Sequence, residues 1–202
     1  LGVSGDHDYF RINVSTAGIL TLQTTSNTNP YGFLYDASGT ELAQNDNQDS
    51  VNDLNFRISR PVTAGTYYLF IRHYDSAGTG PYTLWSDLMT PPVITQQPAA
   101  GAITAGDSHT LRITASGRGL TYQWYAGAAA NTLLPVAAGH SLTVSPVNSV
   151  SYWVRVSNAA GFRDSTPATL TVDTAAAGQS WSSRTSGVAS TLWSVEWLGN
   201  RF

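Results

Sequence analysis

The chain contains no cysteine, no lysine and few charged residues, and each shortage excludes a class of protein. Without cysteine there is no disulfide, no thiolate nucleophile and no metal site built on sulfur. Charged residues make up 11% of the chain, against about 25% in an average soluble domain. All ten cationic residues are arginine, and thirteen acidic residues give a net charge of −3. We therefore expect no nucleic-acid binding, which requires a dense basic surface.

Long apolar runs are also missing. None approaches the roughly 20 residues that a membrane-spanning helix requires, so we expect no membrane span. Residues 1–5 contain neither methionine nor the charged and apolar parts of a signal peptide, and residues 199–202 carry no capping or tail signal. We expect the chain to be a fragment of a longer precursor.

Short apolar runs are present, and their spacing predicts an all-β protein. Gly, Ser, Thr, Asn and Pro separate these runs about every 8 to 12 residues, which is typical of sandwiches and barrels, and no segment has a helical apolar period. The clearest alternations are Phe10, Ile12, Val14; Leu20, Leu22; Tyr67, Leu69, Ile71; Leu111, Ile113; Val154, Val156; and Leu170, Val172. Each predicts a half-buried strand.

Two breaks divide the chain into three pieces, residues 1–90, 91–173 and 174–202. The first break is the stiff pair Pro91 and Pro92, and the second is a run of small residues at 174–178. Residues 1–90 hold nine acids and four arginines, net −5, while residues 91–202 hold four acids and six arginines, net +2. Any function based on acidic groups is therefore expected in the first piece.

The first piece carries four motifs in order. They are Asp-x-Asp-Tyr-Phe at 6–10, Leu-Tyr-Asp-x-x-Gly-x-x-Leu-Ala-x-Asn-Asp at 34–46, Ala-Gly-Thr-Tyr-Tyr at 64–68 and Gly-x-Tyr-Thr-Leu at 80–84. Together they resemble the bacterial pre-peptidase C-terminal domain. The resemblance implies a jelly-roll-type β-sandwich that accompanies exported bacterial proteins as a non-catalytic accessory, and hence a secreted or cell-surface location.

Acidic and amide side chains are dense in this piece. Asp6 and Asp8 stand at the start of the first strand, and one stretch without a cation contains Glu41, Asn45, Asp46, Asn47, Asp49 and Asp53. Oxygen-only ligands suit Ca²⁺, and the resemblance implies calcium at the edge of the sandwich near Asp6 and Asp8. We predict calcium as a possible cofactor, with Asp6, Asp8 and Asp46 as candidate ligands. In the alternative, these side chains bond their own backbone in solvated turns.

A second candidate site lies on the strand from residue 67 to 74. One face carries Tyr67, Leu69 and Ile71, and the other carries Tyr68, Phe70, Arg72 and Tyr74. Three aromatic rings and an arginine on one face are suited to a peptide or a sugar. The alternative is that a neighbouring loop or domain covers Tyr68 and Phe70.

The second piece resembles a bacterial immunoglobulin-like domain, in the run from Pro98 through the Tyr-Gln-Trp-Tyr motif at 122–125 to the Tyr-Trp-Val-Arg-Val-Ser-Asn motif at 152–158. The resemblance implies that Trp124 is the core tryptophan of the third strand. Ile113 and Val154 would then replace the two disulfide-forming cysteines, and Tyr152 would be the tyrosine corner.

The third piece holds three of the six tryptophans, and its pattern resembles the start of one β-propeller blade. One blade cannot bury its own faces.

No nucleophile, zinc-protease or nucleotide-loop signature occurs, so we predict that the chain is not an enzyme. Two hypotheses remain open. In the first, the chain is a monomeric accessory or adhesion fragment of a secreted or surface protein, acting in spacing, display or ligand binding. In the second, it targets an exported hydrolase, whose catalytic domain lies outside the chain, to a polysaccharide or fibrous protein.

Overall fold

The structure of the protein, a computed structural model, describes residues 1–48 and 53–173. Every regular element in those two ranges is a β-strand, which confirms the all-β prediction. The first seven strands form one sandwich and the following ten form another. These ranges contain no helix of the length and apolarity needed to cross a membrane. The predicted propeller repeat at 174–202 lies outside the described residues.

The first sandwich consists of a four-stranded and a three-stranded antiparallel sheet. The four-stranded sheet has the order β1 (His7–Val14), β6 (Gly65–His73), β3 (Pro30–Asp36), β4 (Glu41–Asn45). The three-stranded sheet has the order β5 (Arg57–Val62), β2 (Gly18–Thr25), β7 (Thr83–Met89). Strands β1 and β4 are therefore the two edges of the larger sheet.

The core of this sandwich comes from the inward-facing residues of both sheets. Its buried members are Val14, Leu20, Leu22, Leu34, Phe56, Ile58, Val62, Tyr67, Leu69 and Ile71. The predicted alternations on β2 and β6 are thus confirmed. Phe10 departs from the prediction, because its side chain is 37% exposed. It lies on the edge strand β1, which has a neighbour on one side only.

A tyrosine corner occurs in the first sandwich. The buried Tyr67 hydroxyl donates to the carbonyl oxygen of Thr63 at 3.0 Å and accepts the Thr63 amide at 3.1 Å, which ties the end of β6 to the backbone just upstream. The predicted corner residue of the second sandwich, Tyr152, is buried, but its hydroxyl has no hydrogen-bond partner within 1–48 and 53–173. Burial alone raises its pKa. The prediction that Tyr152 forms the tyrosine corner of the second sandwich is therefore wrong.

The second sandwich has one large sheet and two strand pairs. The large sheet has the order β13 (Pro135–Ala138), β12 (Thr121–Ala126), β15 (Val150–Asn158), β17 (Ala168–Asp173), β9 (Gly101–Thr104), with β16 (Gly161–Asp164) paired to β15. The pairs are β10 (His109–Arg112) with β14 (Ser141–Val144), and β11 (Thr114–Ser116) with β8 (Val93–Gln96). Strands β9 and β17 run parallel, and the other pairs are antiparallel.

Trp124 lies at the centre of the second core. It is fully buried, and its indole Nε1 donates to the carbonyl oxygen of Gly139 at 2.9 Å. Ile113 and Val154, the predicted replacements for the two cysteines, are buried in the same cluster. An apolar core thus occupies the place that a disulfide would otherwise cross-link.

Candidate functional site

The outer face of the four-stranded sheet is covered with aromatic side chains. Residues directly opposite each other in paired strands share a face, and the register sets three residues of β6 against outward-facing residues of β1 and β3. We call the resulting surface the aromatic face; its rings are those of Tyr9, Tyr31, Phe33, Tyr35, Tyr68, Phe70 and Tyr74, accompanied by His7, Arg11 and Arg72.

Phe70 is the centre of the aromatic face. Its ring centroid lies 4.9 Å from that of Tyr9 on β1 and 5.3 Å from that of Phe33 on β3. The His7 imidazole meets it edge-on at 5.1 Å. These rings support one another laterally across three strands, so the surface is built from packed side chains rather than from isolated exposed ones.

The guanidinium group of Arg72 lies over the rings of Tyr31 and Phe33. Its guanidinium carbon is 4.8 Å from the Tyr31 ring centroid and 5.4 Å from that of Phe33. One guanidinium nitrogen also donates to the carbonyl oxygens of His73 and Tyr74, each at 2.9 Å. Arg72 is therefore committed to organising the surface.

The aromatic face is open to solvent at its β1 side. The side chain of Tyr9 is 72% exposed and that of Tyr68 is 39% exposed. Both line a shallow depression of about 420 Å³, together with Tyr35, Gly39 and Phe70. Phe70 is half-buried by ring neighbours of its own sheet. Within residues 1–48 and 53–173, Tyr68 stays partly exposed and Phe70 is covered in part by rings of its own sheet, so no loop or second domain in those ranges covers them.

The tyrosine hydroxyls of the aromatic face fall into two groups. Tyr31 donates to the Gln44 side-chain oxygen at 2.6 Å, and Tyr35 lies 3.4 Å from a Glu41 carboxylate oxygen. Burial and the nearby Glu41 raise the pKa of Tyr35. In the second group, the hydroxyls of Tyr9, Tyr68 and Tyr74 have no hydrogen-bond partner in the described part of the chain. Those three can bond a ligand without giving up an internal bond.

The outer face of the opposite sheet is different. Its described residues are largely short or polar, such as the hydrogen-bonded pair Thr21 and Ser59, and its one aromatic side chain in the described strands is Trp85. Trp85 is 58% exposed and lies beside Gln23. Within the described strands, the first sandwich thus has one mostly polar outer surface and one aromatic outer surface.

The carboxylates predicted to bind calcium serve the fold at the start of β1. Both oxygens of Asp6 accept backbone amides, from Gly2 at 2.6 Å and from His7 at 2.9 Å. The bond from Gly2 is the main reason that the pKa of Asp6 is lowered. Asp8 accepts the Tyr82 hydroxyl at 2.6 Å. Burial of Tyr82, followed by this bond, raises the pKa of the tyrosine.

Asp46 lies away from these two residues. It follows β4, and Asp8 is on β1, at the other edge of the four-stranded sheet. Three strand spacings separate the edges, roughly 14 Å, whereas calcium–oxygen distances are about 2.3 to 2.6 Å. One ion therefore cannot join all three predicted ligands, and residues 1–48 and 53–173 contain no cluster of three acidic or histidine side chains suited to a metal.

The loop after β4 keeps one unusual feature. The side-chain oxygen of Asn47 is buried without a hydrogen-bond partner in the described chain. Asp53 bonds the backbone amide of Asn55 at 3.1 Å, as the solvated-turn alternative expects. Asp49 lies outside the described residues. Calcium binding stays a prediction.

Residues 90–175 match the family model of an Ig-like domain, CHU_C associated. The second sandwich is therefore similar to immunoglobulin-like domains. Domains of this class are generally non-catalytic, are typical of adhesion and accessory modules, and are common in extracellular and cell-surface proteins. The resemblance of the first sandwich to the pre-peptidase C-terminal domain stays a prediction.

Solved structures of immunoglobulin repeats give weak matches to between 43% and 84% of the chain. DIP-gamma IG1+IG2 is 19% identical, with 84% of this chain and 99% of that chain covered and a TM-score of 0.36. The N-terminal Ig1-2 module of a Drosophila receptor protein tyrosine phosphatase, DLAR, is 14% identical, with 83% and 98% covered and a TM-score of 0.35. Titin M4 is 16% identical, with 43% and 100% covered and a TM-score of 0.36. No curated protein matches the chain.

The structure places the four predicted face residues together and adds others that the sequence analysis missed. Tyr31, Phe33 and Tyr35 alternate on β3 with the same period of two that identified Tyr68 and Phe70 on β6. That signal was present in the sequence. It was overlooked because the pairing of β3 with β6, which puts both rows on one surface, is a tertiary property.

Proposed function

We propose that this chain is a non-catalytic adhesion or accessory module of a secreted or cell-surface protein, and that its aromatic face binds an extracellular polysaccharide. The observation that carries the proposal is the continuous row of packed rings across β1, β6 and β3, in which Tyr9 and Tyr68 are exposed and the rings on β3 are half-buried. A large contiguous apolar patch exposed on a protein surface marks an interaction site.

The chemistry of the surface favours a sugar chain. A pyranose ring presents C–H groups on its faces and hydroxyls around its rim. The exposed rings of Tyr9 and Tyr68 can meet such C–H faces, and their unpartnered hydroxyls can bond the rim. The depression that they line with Phe70 is shallow and open, as an extended polymer passing across the sheet requires.

The rings are also held in place before any ligand arrives. Phe70 packs against Tyr9 and Phe33, and Arg72 is fixed by its two carbonyl partners. Side chains that are already ordered lose little rotamer entropy on binding, so more of the contact energy contributes to affinity. A preorganised surface of this kind suits a weak, repeated interaction along a polymer.

The first test replaces the exposed rings. We expect the double variant Tyr9→Ala/Tyr68→Ala to bind the retaining polysaccharide on the order of a hundredfold more weakly, since each ring is a central contact worth at least about tenfold. Affinity electrophoresis through gels containing xylan, galactomannan, dextran or polygalacturonate, with pull-down on cellulose and chitin, measures the loss. Tyr68→Ala/Tyr74→Ala should also lose retention.

The matched control is Trp85→Ala, which removes an equally exposed aromatic side chain from the opposite sheet. It should bind as the unchanged protein does. Equal losses in both variants, or no retention of the unchanged protein by any of these polymers, would contradict the proposal.

Calcium is a second prediction for the first sandwich, and the buried, unpartnered Asn47 oxygen favours the loop after β4 as its place. We expect titration calorimetry of metal-stripped protein with Ca²⁺ to show binding heat that Asp46→Asn removes. Asp6→Asn should leave that heat unchanged, since both oxygens of Asp6 already accept backbone amides. A silent titration of the unchanged protein would refute calcium binding.

A further inference from the structure

The aromatic face is cationic within an acidic sandwich. Residues 1–90 carry a net charge of −5, from nine acids and four arginines. Two of those arginines, Arg11 on β1 and Arg72 on β6, lie on the aromatic face. Among the acids near this surface, Glu41 lies against the Tyr35 hydroxyl and Asp46 follows β4. Asp6 and Asp75 line a small pocket with His7 and Arg72, at the end of the surface where β1 begins. Arg11 lies further along β1 and is not among the residues of that pocket.

Arg11 is the arginine of the aromatic face that can pair with an external anion. Its side chain is exposed, and it makes no ion pair or hydrogen bond within residues 1–48 and 53–173. The neighbouring acid on the same strand, Asp8, points to the other side of the sheet and accepts the Tyr82 hydroxyl. An exposed arginine with no acid facing it keeps its full capacity for an external anion.

The position of Arg11 links its charge to the rings. Arg11 is directly opposite Tyr68 in the β1–β6 register, and it is two residues along β1 from Tyr9. Both tyrosines line the depression. Opposite side chains on one face have Cβ atoms about 4.5 to 5.5 Å apart. A substituent on a sugar stacked in the depression therefore lies within reach of the guanidinium.

We infer that the polysaccharide bound by the aromatic face is anionic, and that Arg11 pairs with its carboxylate or sulfate-ester groups; this inference rests on the function proposed above. A guanidinium binds either oxyanion through two parallel hydrogen bonds. Arg72 holds the rings of Tyr31 and Phe33 in place, and Arg11 distinguishes charged polymers from neutral ones. Glu41 and Asp46 at the β4 edge repel the same polymer, which favours its contact with Arg11.

The experiment compares polymers that differ in charge alone. Polygalacturonate is paired with its fully methyl-esterified form, and dextran sulfate is paired with dextran. We expect the unchanged protein to bind one charged polymer about tenfold or more tightly than its neutral partner, with the preference falling as salt rises. The pair that shows the preference identifies the anion as carboxylate or sulfate.

Two arginine variants assign the preference to a residue. Arg11→Gln should reduce the charged-to-neutral affinity ratio about tenfold while leaving affinity for the neutral polymer unchanged. Arg57→Gln removes an equally exposed arginine from the other sheet and should retain the preference. Thermal melting of both variants should match that of the unchanged protein, because neither side chain is buried.

The possible failures are distinguishable. Equal affinity for charged and neutral polymers, lost in Tyr9→Ala/Tyr68→Ala, would overturn the anionic ligand and leave the polysaccharide module intact. A charge preference that Arg57→Gln removes as well as Arg11→Gln would overturn the role of Arg11. Binding of no polymer would overturn the proposed function itself, and binding of an acidic protein instead would have the same effect.

Discussion

Replacing Trp124 by alanine is expected to lower the free energy of unfolding of the second sandwich by about 3 to 5 kcal/mol. The indole is fully buried among the residues of the second core, so its removal leaves a cavity. It also leaves the half-buried Gly139 carbonyl oxygen without its 2.9 Å partner, and the lost hydrogen bond adds to the destabilisation. Urea denaturation followed by circular dichroism measures the change.

Trp85→Ala is the control for this experiment, because it removes the same atoms from a side chain that is 58% exposed. It should change stability by less than about 0.5 kcal/mol. A Trp124→Ala variant that lost less than about 1 kcal/mol would contradict the assignment of Trp124 as the central core residue. The absence of cysteine makes the effect consequential, since no disulfide remains to hold the two sheets together.

The second large effect concerns Gly32 and Phe56 in the first sandwich. A Cβ added at Gly32 would lie 2.8 Å from three carbons of the Phe56 ring, a distance that requires the ring to move. We expect Gly32→Ala to cost about 1 to 3 kcal/mol through overpacking. Phe56→Ala should cost about 3 to 5 kcal/mol, because the fully buried ring leaves a cavity.

The double variant distinguishes this contact from two unrelated effects. In Gly32→Ala/Phe56→Ala the new methyl group enters the space that the ring vacates, so the two losses should sum to more than the measured loss. A double-mutant cycle by urea denaturation gives the coupling. Strict additivity would show that the alanine at position 32 does not meet Phe56. Gly39→Ala is not a suitable control, because Gly39 has a φ of +85°. Gly65→Ala is suitable, because the nearest atom to its Cβ would be a Tyr67 ring carbon at 3.9 Å, an ordinary contact distance.

Gly32 shows which part of a contact can be predicted from the local sequence and which part cannot. A glycine inside an alternating strand signals that something approaches the backbone closely. The identity of that neighbour, the ring of Phe56, depends on the packing of two sheets. The location of the tyrosine corner likewise depends on the folded structure and not on local sequence. The hydroxyl of Tyr67 returns to Thr63, four residues upstream, whereas the resemblance to an immunoglobulin-like domain had directed attention to Tyr152.

The candidate calcium ligands failed to converge for a related reason. Asp6, Asp8 and Asp46 share a residue type and an acidic piece of chain, which a sequence displays directly. Their separation follows from the strand order, which puts β1 and β4 at opposite edges of one sheet. Sequence distance does not predict that order, since strands far apart in the chain pair as neighbours.

The resemblance to an immunoglobulin-like domain implied that Trp124 is a core residue. By itself, the sequence determined the all-β class and the inward and outward alternation on β6. These features follow from the two-residue period of a strand and from the burial of large apolar groups, which are local properties. The tertiary structure alone decided that Tyr9, Tyr31, Phe33 and Tyr35 join Tyr68 and Phe70 on one surface with Arg11 beside them. Strand pairing is a long-range interaction, so its register emerges when the sheets pack and not from any single segment.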